Sequence, residues 1–379
     1  MQVGNEKVRV LNIIGKRPTG GIGAVVYNYQ SHFTTGNVVY DYLLFAEEPY
    51  GDFDDKVEKL GSKVYVLPEL RNSRLIYLYK KINEFFKIHG SEYDVVHLHS
   101  TNIGFLCYPI AKKYGIKNLI AHSHATMYSD KKLNAIRNSI LCLPLKKMAN
   151  IYFACSRAAG EFLYGKRMME SGKVYVLNNA IDYDKFKFND CIRNKIRREL
   201  GLDNKFVVGH VGRFCEQKNH IFLIDIFCQV IKHNRDSVLV LVGEGPLKEE
   251  IKKLVKERNI ETNVLFLGQR SDVNELLQAM DVFVLPSLYE GLPVIGVEAQ
   301  ASGLPCVFSS EITTELDISG SEYVHLNNNP SGWAEKILKV KEKSIRGITR
   351  EELIKHNFDI NIESQKLEQF YVNIKNSNL

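Results

Sequence analysis

Two carboxylates, Glu290 and Glu298, stand with seven residues between them in DVFVLPSLYEGLPVIGVEAQASGLPCVFSS, residues 281–310. An apolar run of strand length at 281–286 leads through a short loop to a helix with Pro293 at its first position, where a missing N–H costs nothing. Val294, Val297, Glu298 and Ala301 recur at helical spacing as far as Gly303, and Pro305 opens a strand at 306–308. In such a strand, helix, strand crossover the loop lies at the carboxyl edge of a parallel sheet and faces the helix N–H groups, which suits an anion such as phosphate. Carboxylates do not favour phosphate, but they accept hydrogen bonds from hydroxyl groups. Glu298 also shares the apolar stripe of its helix, where an ionised carboxylate needs a partner. Alone, either Glu would read as a solvated surface group. Together at this turn they imply a hydroxylated ligand joined to a phosphate.

Other residue sets bear on metal chemistry. His97 with His99, and His122 with His124, are alternate residues near strand ends, so each pair could turn two imidazoles to one face. No cysteine or carboxylate spacing completes a ligand set, and packed or hydrogen-bonded rings are the expectation for His97 and His99. Two D-x-D triplets, Asp52-Phe53-Asp54 and Asp182-Tyr183-Asp184, could hold Mg or Mn against phosphate, but short acidic triplets arise often by chance. The expectation is a site without metal.

Glu290 and Glu298, followed by A-Q-A-S-G-L-P, resemble the E-x7-E signature of family 4 retaining glycosyltransferases, and in particular the capsular and exopolysaccharide branch. Further stretches resemble that family. G-R-F-C-E-Q-K-N at 212–219 is similar to its diphosphate-binding G-R-x-x-x-x-K-N, and Gly243-Glu244-Gly245-Pro246 to its G-D-G-P turn. N-N-A-I-D at 178–182 is similar to N-G-x-D, with Asn179 and Ala180 in place of the usual Asn and Gly. The resemblance implies an α/β protein of GT-B fold: two Rossmann-like domains facing across a cleft, with a C-terminal helix crossing back to the first. It also implies a nucleotide diphosphate sugar donor, with UDP as the expected nucleotide, and a saccharide or lipid-linked saccharide acceptor in bacterial surface polysaccharide synthesis. Other readings are a UDP-N-acetylglucosamine 2-epimerase and a non-catalytic subunit that binds sugar nucleotides.

Breaking the anomeric bond of such a donor builds negative charge on the leaving phosphate, which fixed cations or a metal must stabilise. By resemblance, Arg213 and Lys218 neutralise the diphosphate, Arg as a planar fork and Lys as a point charge. Glu298 binds the ribose hydroxyls, Glu290 the donor sugar, and the turn Gly291, Leu292, Pro293 and Val294 the donor. Gly268 lies where the family's backbone meets the base. Gly21 and Gly23, in the glycine-rich turn from Thr19, face donor phosphate and acceptor. His124, in H-S-H-A-T, aligns with a histidine beside the reacting sugar. No cofactor beyond the donor is implied.

At 379 residues the chain fits two domains, expected at 1–184 and 205–357, with a charge-rich linker at 185–204 and a returning helix at 358–379. Strand and helix patterns alternate through both halves, which predicts two parallel sheets. The first half has a strand at 151–155 and two later strands, the last at 174–177, and a helix through 132–148. Seven cysteines without regular spacing argue against a disulfide framework, no apolar run approaches membrane length, and 1–15 lacks a signal peptide's core, so cytoplasm is the expected location. Through residue 185 there are 25 Lys and Arg against 17 Asp and Glu, and after it 25 against 27. No RNA-binding or zinc-finger motif ties this excess to nucleic acid. An anionic membrane surface or simple solubility remains as its meaning. The amphipathic stretch 74–89, RLIYLYKKINEFFKIH, carries Leu75, Ile76, Leu78, Tyr79, Ile82, Phe85 and Phe86 beside Arg74, Lys80, Lys81 and Lys87, and a second basic segment covers 131–147.

Overall fold

Strands such as VRVLNII and SVLVLV are nearly continuous apolar runs, the pattern of strands covered on both faces. In the computed structural model they form two parallel sheets, one in each of two compact units. The structure describes residues 7–16, 18, 21–47, 51–69, 75–129, 132–340 and 347–377. Thr19 and Arg74, named above, and the first residue of the 131–147 segment lie outside them.

The first unit comprises Met1–Ala180 with Ile360–Leu379. Its strands are β1 Val8–Ile14, β2 Val38–Phe45, β3 Val64–Leu67, β4 Val95–Leu98, β5 Asn118–Ser123, β6 Ile151–Ala154 and β7 Val174–Val176, in the order β3-β2-β1-β4-β5-β6-β7. Leu11, Ile13, Leu43, Phe86, Leu98 and Tyr108 belong to the core between sheet and helices. One strand, rather than two, follows β6. The residues between form helices Arg157–Tyr164 and Lys166–Glu170, the first capped by Ser156 Oγ accepting from Ala159 N at 3.1 Å. The helix expected over 132–148 is two, Lys132–Cys142 and Leu145–Met148, because Pro144 cannot continue the first.

The second unit, Ile181–Asp359, holds β8 Phe206–Val211, β9 Ser237–Val242, β10 Val264–Gly268, β11 Val282–Leu285, β12 Cys306–Ser309 and β13 Glu322–Val324, in the order β10-β9-β8-β11-β12-β13. In both sheets the order reverses beside the first strand, so the loops after β1 and β4, and after β8 and β11, become neighbours at the carboxyl edge.

The expected linker 185–204 is part of the second unit's packed structure. Helix Asp190–Glu199, capped by Asn189, turns Arg193 to Asp281 at 2.5 Å and to the carbonyls of Gln278 and Met280. Arg197 is buried against Asp281 at 3.2 Å and the carbonyls of Ala279, Leu202 and Lys205. The sequence showed these cations only as linker charge because Asp281 lies far along the chain. The unit boundaries fall instead at 180/181 and 359/360, where Ile181 N donates to Phe358 O at 2.8 Å. The last helix, Ile360–Asn376, packs on the first unit: Glu368 accepts from Thr34 N at 2.9 Å and Thr35 Oγ1 at 2.8 Å, and Lys375 meets Asp94 at 3.1 Å.

Candidate active site

At the switch point of the second sheet, the loop after β8 carries Gly212 to Lys218 and the loop after β11 carries Pro286 to Pro293. Leu288 N donates to Gln217 O at 2.8 Å and ties them together. Lys218 Nζ lies 2.5 Å from Glu290 Oε1, with both side chains largely buried. Ser287 Oγ donates to the same oxygen at 2.9 Å, and Gln217 Nε2 to Glu290 Oε2 at 3.2 Å and to Tyr289 O at 3.0 Å. The cation and the carboxylate expected to act separately are therefore one hydrogen-bonded pair, which satisfies both charges away from water. Arg213 is exposed and forms no ion pair among the described residues.

Local backbone chemistry explains the loop. Asn219 adopts φ 55° and ψ 46° and starts helix His220–His233; asparagine tolerates this left-handed conformation better than most side chains. Gly243 has φ 139°, and a Cβ there would overlap the Gly212 carbonyl, so only glycine lets the loops after β8 and β9 touch. Gly243 N donates to Gly268 O at 2.8 Å, and Phe214 N to Glu244 O at 3.0 Å. Thus Gly268, Gly243 and Gly212 form a stitched row along the carboxyl edge.

Helix Val294–Ala301 begins after Pro293, which is its N-cap at φ −71° and ψ 109° rather than its first helical residue. Glu298 lies one turn in. Its carboxylate hydrogen-bonds to no described residue, and burial pushes its pKa up to about 7, with Lys185 opposing weakly. It is a half-buried acid without a donor among the described residues. Gly291 and Leu292 are buried in the turn before it.

The first unit gathers the remaining candidates. Gly21 is the N-cap of helix Ile22–Ser31 at φ 51°, whereas Gly23 is fixed by packing, since a Cβ would overlap Pro18. His97, His99, His122 and His124 stack at the ends of β4 and β5, with ring centroids 3.9 Å apart for His122 and His124 and 4.3 Å for His97 and His99. His97 Nε2 shares a hydrogen bond with His122 Nδ1 at 3.0 Å, and His99 Nδ1 with His124 Nε2 at 2.9 Å. His97 Nδ1 meets Tyr371 Oη at 2.6 Å, which accepts from Tyr40 at 2.9 Å, and His99 Nε2 meets Asn12 Oδ1 at 3.1 Å. Burial lowers the pKa of His97 and His124 to about 3 and holds His99 and His122 well below the usual range, so all four are neutral. His97, His99 and His122 have ligating atoms within 4.8 Å of one another, yet those of His97 and His99 already engage other side chains or rings. His124, His99, Ser100, Thr101, Ser123 and Asn138 line a cavity of about 190 Å³.

Each D-x-D triplet has carboxylates engaged by near neighbours in the chain. Asp54 is buried and accepts from Gly51 N at 3.1 Å as part of a capping box, while Asp182 caps Asp184 N and Asp184 pairs with Lys187 at 2.8 Å. Asn179 and Ala180 adopt no left-handed turn. Ser287, Gln217, Asn12 and Tyr371 were not site candidates in the sequence; Gln217 fills a variable position of the 212–219 motif, and only the fold brings the four to the groups they hold.

Two Rossmann-like units with a phosphate-ready switch point define the GT-B class of sugar-nucleotide enzymes. HepE of Anabaena, solved with UDP and glucose, shares this fold: TM-score 0.73 over 98% of both chains at 20% identity. Residues 19–185 match the Glycosyltransferase Family 4 model and 192–358 the Glycosyl transferases group 1 model. The chain is 33% identical over 337 residues to EpsF of Bacillus subtilis, named as a glycosyltransferase, covering 87% of each. It is 32% identical over 288 residues, 72% of each chain, to the UDP-Gal:alpha-D-GlcNAc-diphosphoundecaprenol alpha-1,3-galactosyltransferase of Escherichia coli. The chain belongs to this glycosyltransferase family.

Proposed function

We propose that the protein transfers a sugar, with retention at the anomeric carbon, from a UDP-sugar to a saccharide borne on a lipid diphosphate during bacterial capsule or exopolysaccharide assembly. The observation that carries this reading is the charge arrangement at the second switch point: an exposed Arg213 and a buried Lys218–Glu290 pair on one side, and the donor-free Glu298 on the helix beyond. Arg213 takes the diphosphate oxygens, and Lys218 turns part of its charge from Glu290 to the leaving phosphate. Glu290 accepts from donor-sugar hydroxyls, Glu298 from the ribose, the Gly291 to Val294 turn contacts the donor, and Gly268 borders the base. His124, as a neutral imidazole, hydrogen-bonds the transferred sugar, and Gly21 and Gly23 shape the approach of donor and acceptor. The acceptor class draws on the Escherichia coli relative, whose name specifies a diphosphoundecaprenol-linked sugar. Such an acceptor places the enzyme at the anionic inner face of the membrane; among the described residues no helix is long and apolar enough to cross one.

A screen of the purified protein against nucleotide sugars, reading slow donor hydrolysis, tests the donor class. Turnover of one UDP-sugar is expected, and it should survive EDTA because fixed cations supply the charge a metal would bring. Loss on chelation restored by Mn or Mg would overturn the metal-free mechanism. Interconversion of a UDP-hexosamine without acceptor would make the protein an epimerase.

A further inference from the structure

In helix Leu75–His89 the residues Leu78, Ile82, Phe85 and Phe86 are buried in the first unit's core, while Ile76 and Ile88 are 77% and 62% exposed on different sides. Helix Lys132–Cys142 instead aligns its exposed apolar residues on one side. Leu133 is 84% exposed, Ile136 59%, Ile140 58%, and Leu143, just beyond its end, 75%. At about 100° per residue these four fall within an arc of roughly 80°, and Cys142 is the helix's one buried residue. Lys132 and Arg137 fall on either border of the stripe, and exposed Lys146 and Lys147 follow it. None of these four cations forms an ion pair among the described residues, and the sequence has no Asp or Glu from 131 to 160. Isolated apolar residues on a surface need no explanation, but an aligned stripe bordered by one sign of charge does.

We propose that this stripe inserts into the headgroup region of an anionic bilayer. Aliphatic side chains gain by leaving water, and the unpaired cations complement the negative leaflet. The opposite face of the same helix, through Asn138 and Cys142, lines the cavity that also holds His99 and His124. One helix thus forms both a membrane contact and a wall of that cavity, so a lipid-borne saccharide is presented to the cavity without leaving the bilayer. This last step rests on the proposed acceptor class; the docking itself does not.

The test is sedimentation with vesicles of phosphatidylcholine alone or mixed with phosphatidylglycerol, for the wild type and for Ile136→Ser/Ile140→Ser. Because both residues face solvent, the variant is expected to fold, with thermal unfolding and donor hydrolysis as controls. The wild type should bind the mixed vesicles and be released by moderate salt. The variant should bind at least tenfold more weakly, and Lys146→Gln/Lys147→Gln about tenfold more weakly. Equal binding by wild type and variants, or equal binding to both vesicle types, would overturn the proposal. So would a wild-type dimer in solution that the Ile variant makes monomeric, which would assign the stripe to a second copy of the chain. Vesicle binding with no donor hydrolysis by the wild type would leave the docking standing and remove the enzymatic reading.

Discussion

The two sheets share one design and treat charge in opposite ways. Beside β8 and β11 the carboxyl edge concentrates ionised groups, with Arg213 in solvent and Lys218 against Glu290. Beside β1 and β4 the corresponding edge holds four neutral imidazoles closed off by Asn12, Tyr371 and Tyr40. Burial without an opposite charge strips a histidine of its proton, whereas hydrogen bonding between opposite partners offsets the cost of burying a lysine with a glutamate. The same topology can therefore present a charged surface suited to phosphate, or a polar, uncharged one suited to a saccharide.

The largest expected effect comes from dismantling the charged edge. Arg213→Ala and Lys218→Ala should each lower turnover about a hundredfold or more, measured as kcat with a UDP-sugar. They should differ in stability. Arg213 is exposed and its loss should leave the melting temperature unchanged, while Lys218→Ala deprives the buried Glu290 of its cation and should cost about 3 kcal/mol. Near-normal turnover in both variants would erase the contrast between the edges.

Acid should break the neutral edge. The folded pKa values of the four histidines lie below the unfolded value near 6.5, with His97 and His124 at about 3, so their contribution is complete above pH 6.5. It is lost as pH falls toward 3, because the unfolded chain binds protons that the folded one refuses. His210 and His220 in the second unit, lowered to about 4 and about 2, act in the same direction. Denaturant midpoints should fall steadily from pH 6.5 to 4.5; a flat profile would mean that the imidazoles are hydrated or charged.

Glu298 sharpens the comparison because it runs the other way. With a folded pKa near 7, it favours the folded state below pH 4.5 and loses that contribution as pH rises through 7. Glu298→Gln should consequently stabilise the free protein at pH 8 while weakening UDP binding, a pairing that calorimetry and thermal melts read separately. An unchanged Kd for UDP would remove the ribose role. The smallest effect is expected from Tyr371→Phe, which cuts the link between His97 and Tyr40 and should cost about 1–2 kcal/mol with donor hydrolysis intact.

The reach of the sequence reading follows the distance over which each cause acts. Strand runs, the Pro293 and Gly303 punctuation and the E-x7-E spacing depend on neighbours, and all reappear in β11, β12 and the helix between them. Partners remote in sequence were invisible: Arg193 and Arg197 read as linker charge because Asp281 lies more than 80 residues away. The Lys218–Glu290 pair was hidden by a separation of 72. Helical periodicity located an apolar face at 74–89, but at 131–147 only the basic charge was read, and the outward apolar stripe of 133–143 emerges from what the sheet leaves uncovered.

Because the first unit is completed by Ile360–Asn376, the chain passes from it to the second unit and back, and the second is an uninterrupted insertion of 181–359. During synthesis the insertion is whole before its host is: Tyr40 and His97 emerge early but must wait for Tyr371, which follows the insertion. The part bearing Arg213, Lys218 and Glu298 can assemble while the ribosome is still delivering the clasp for the other. A ribosome that stops before residue 360 would release a host with an unsealed histidine face and a finished insert.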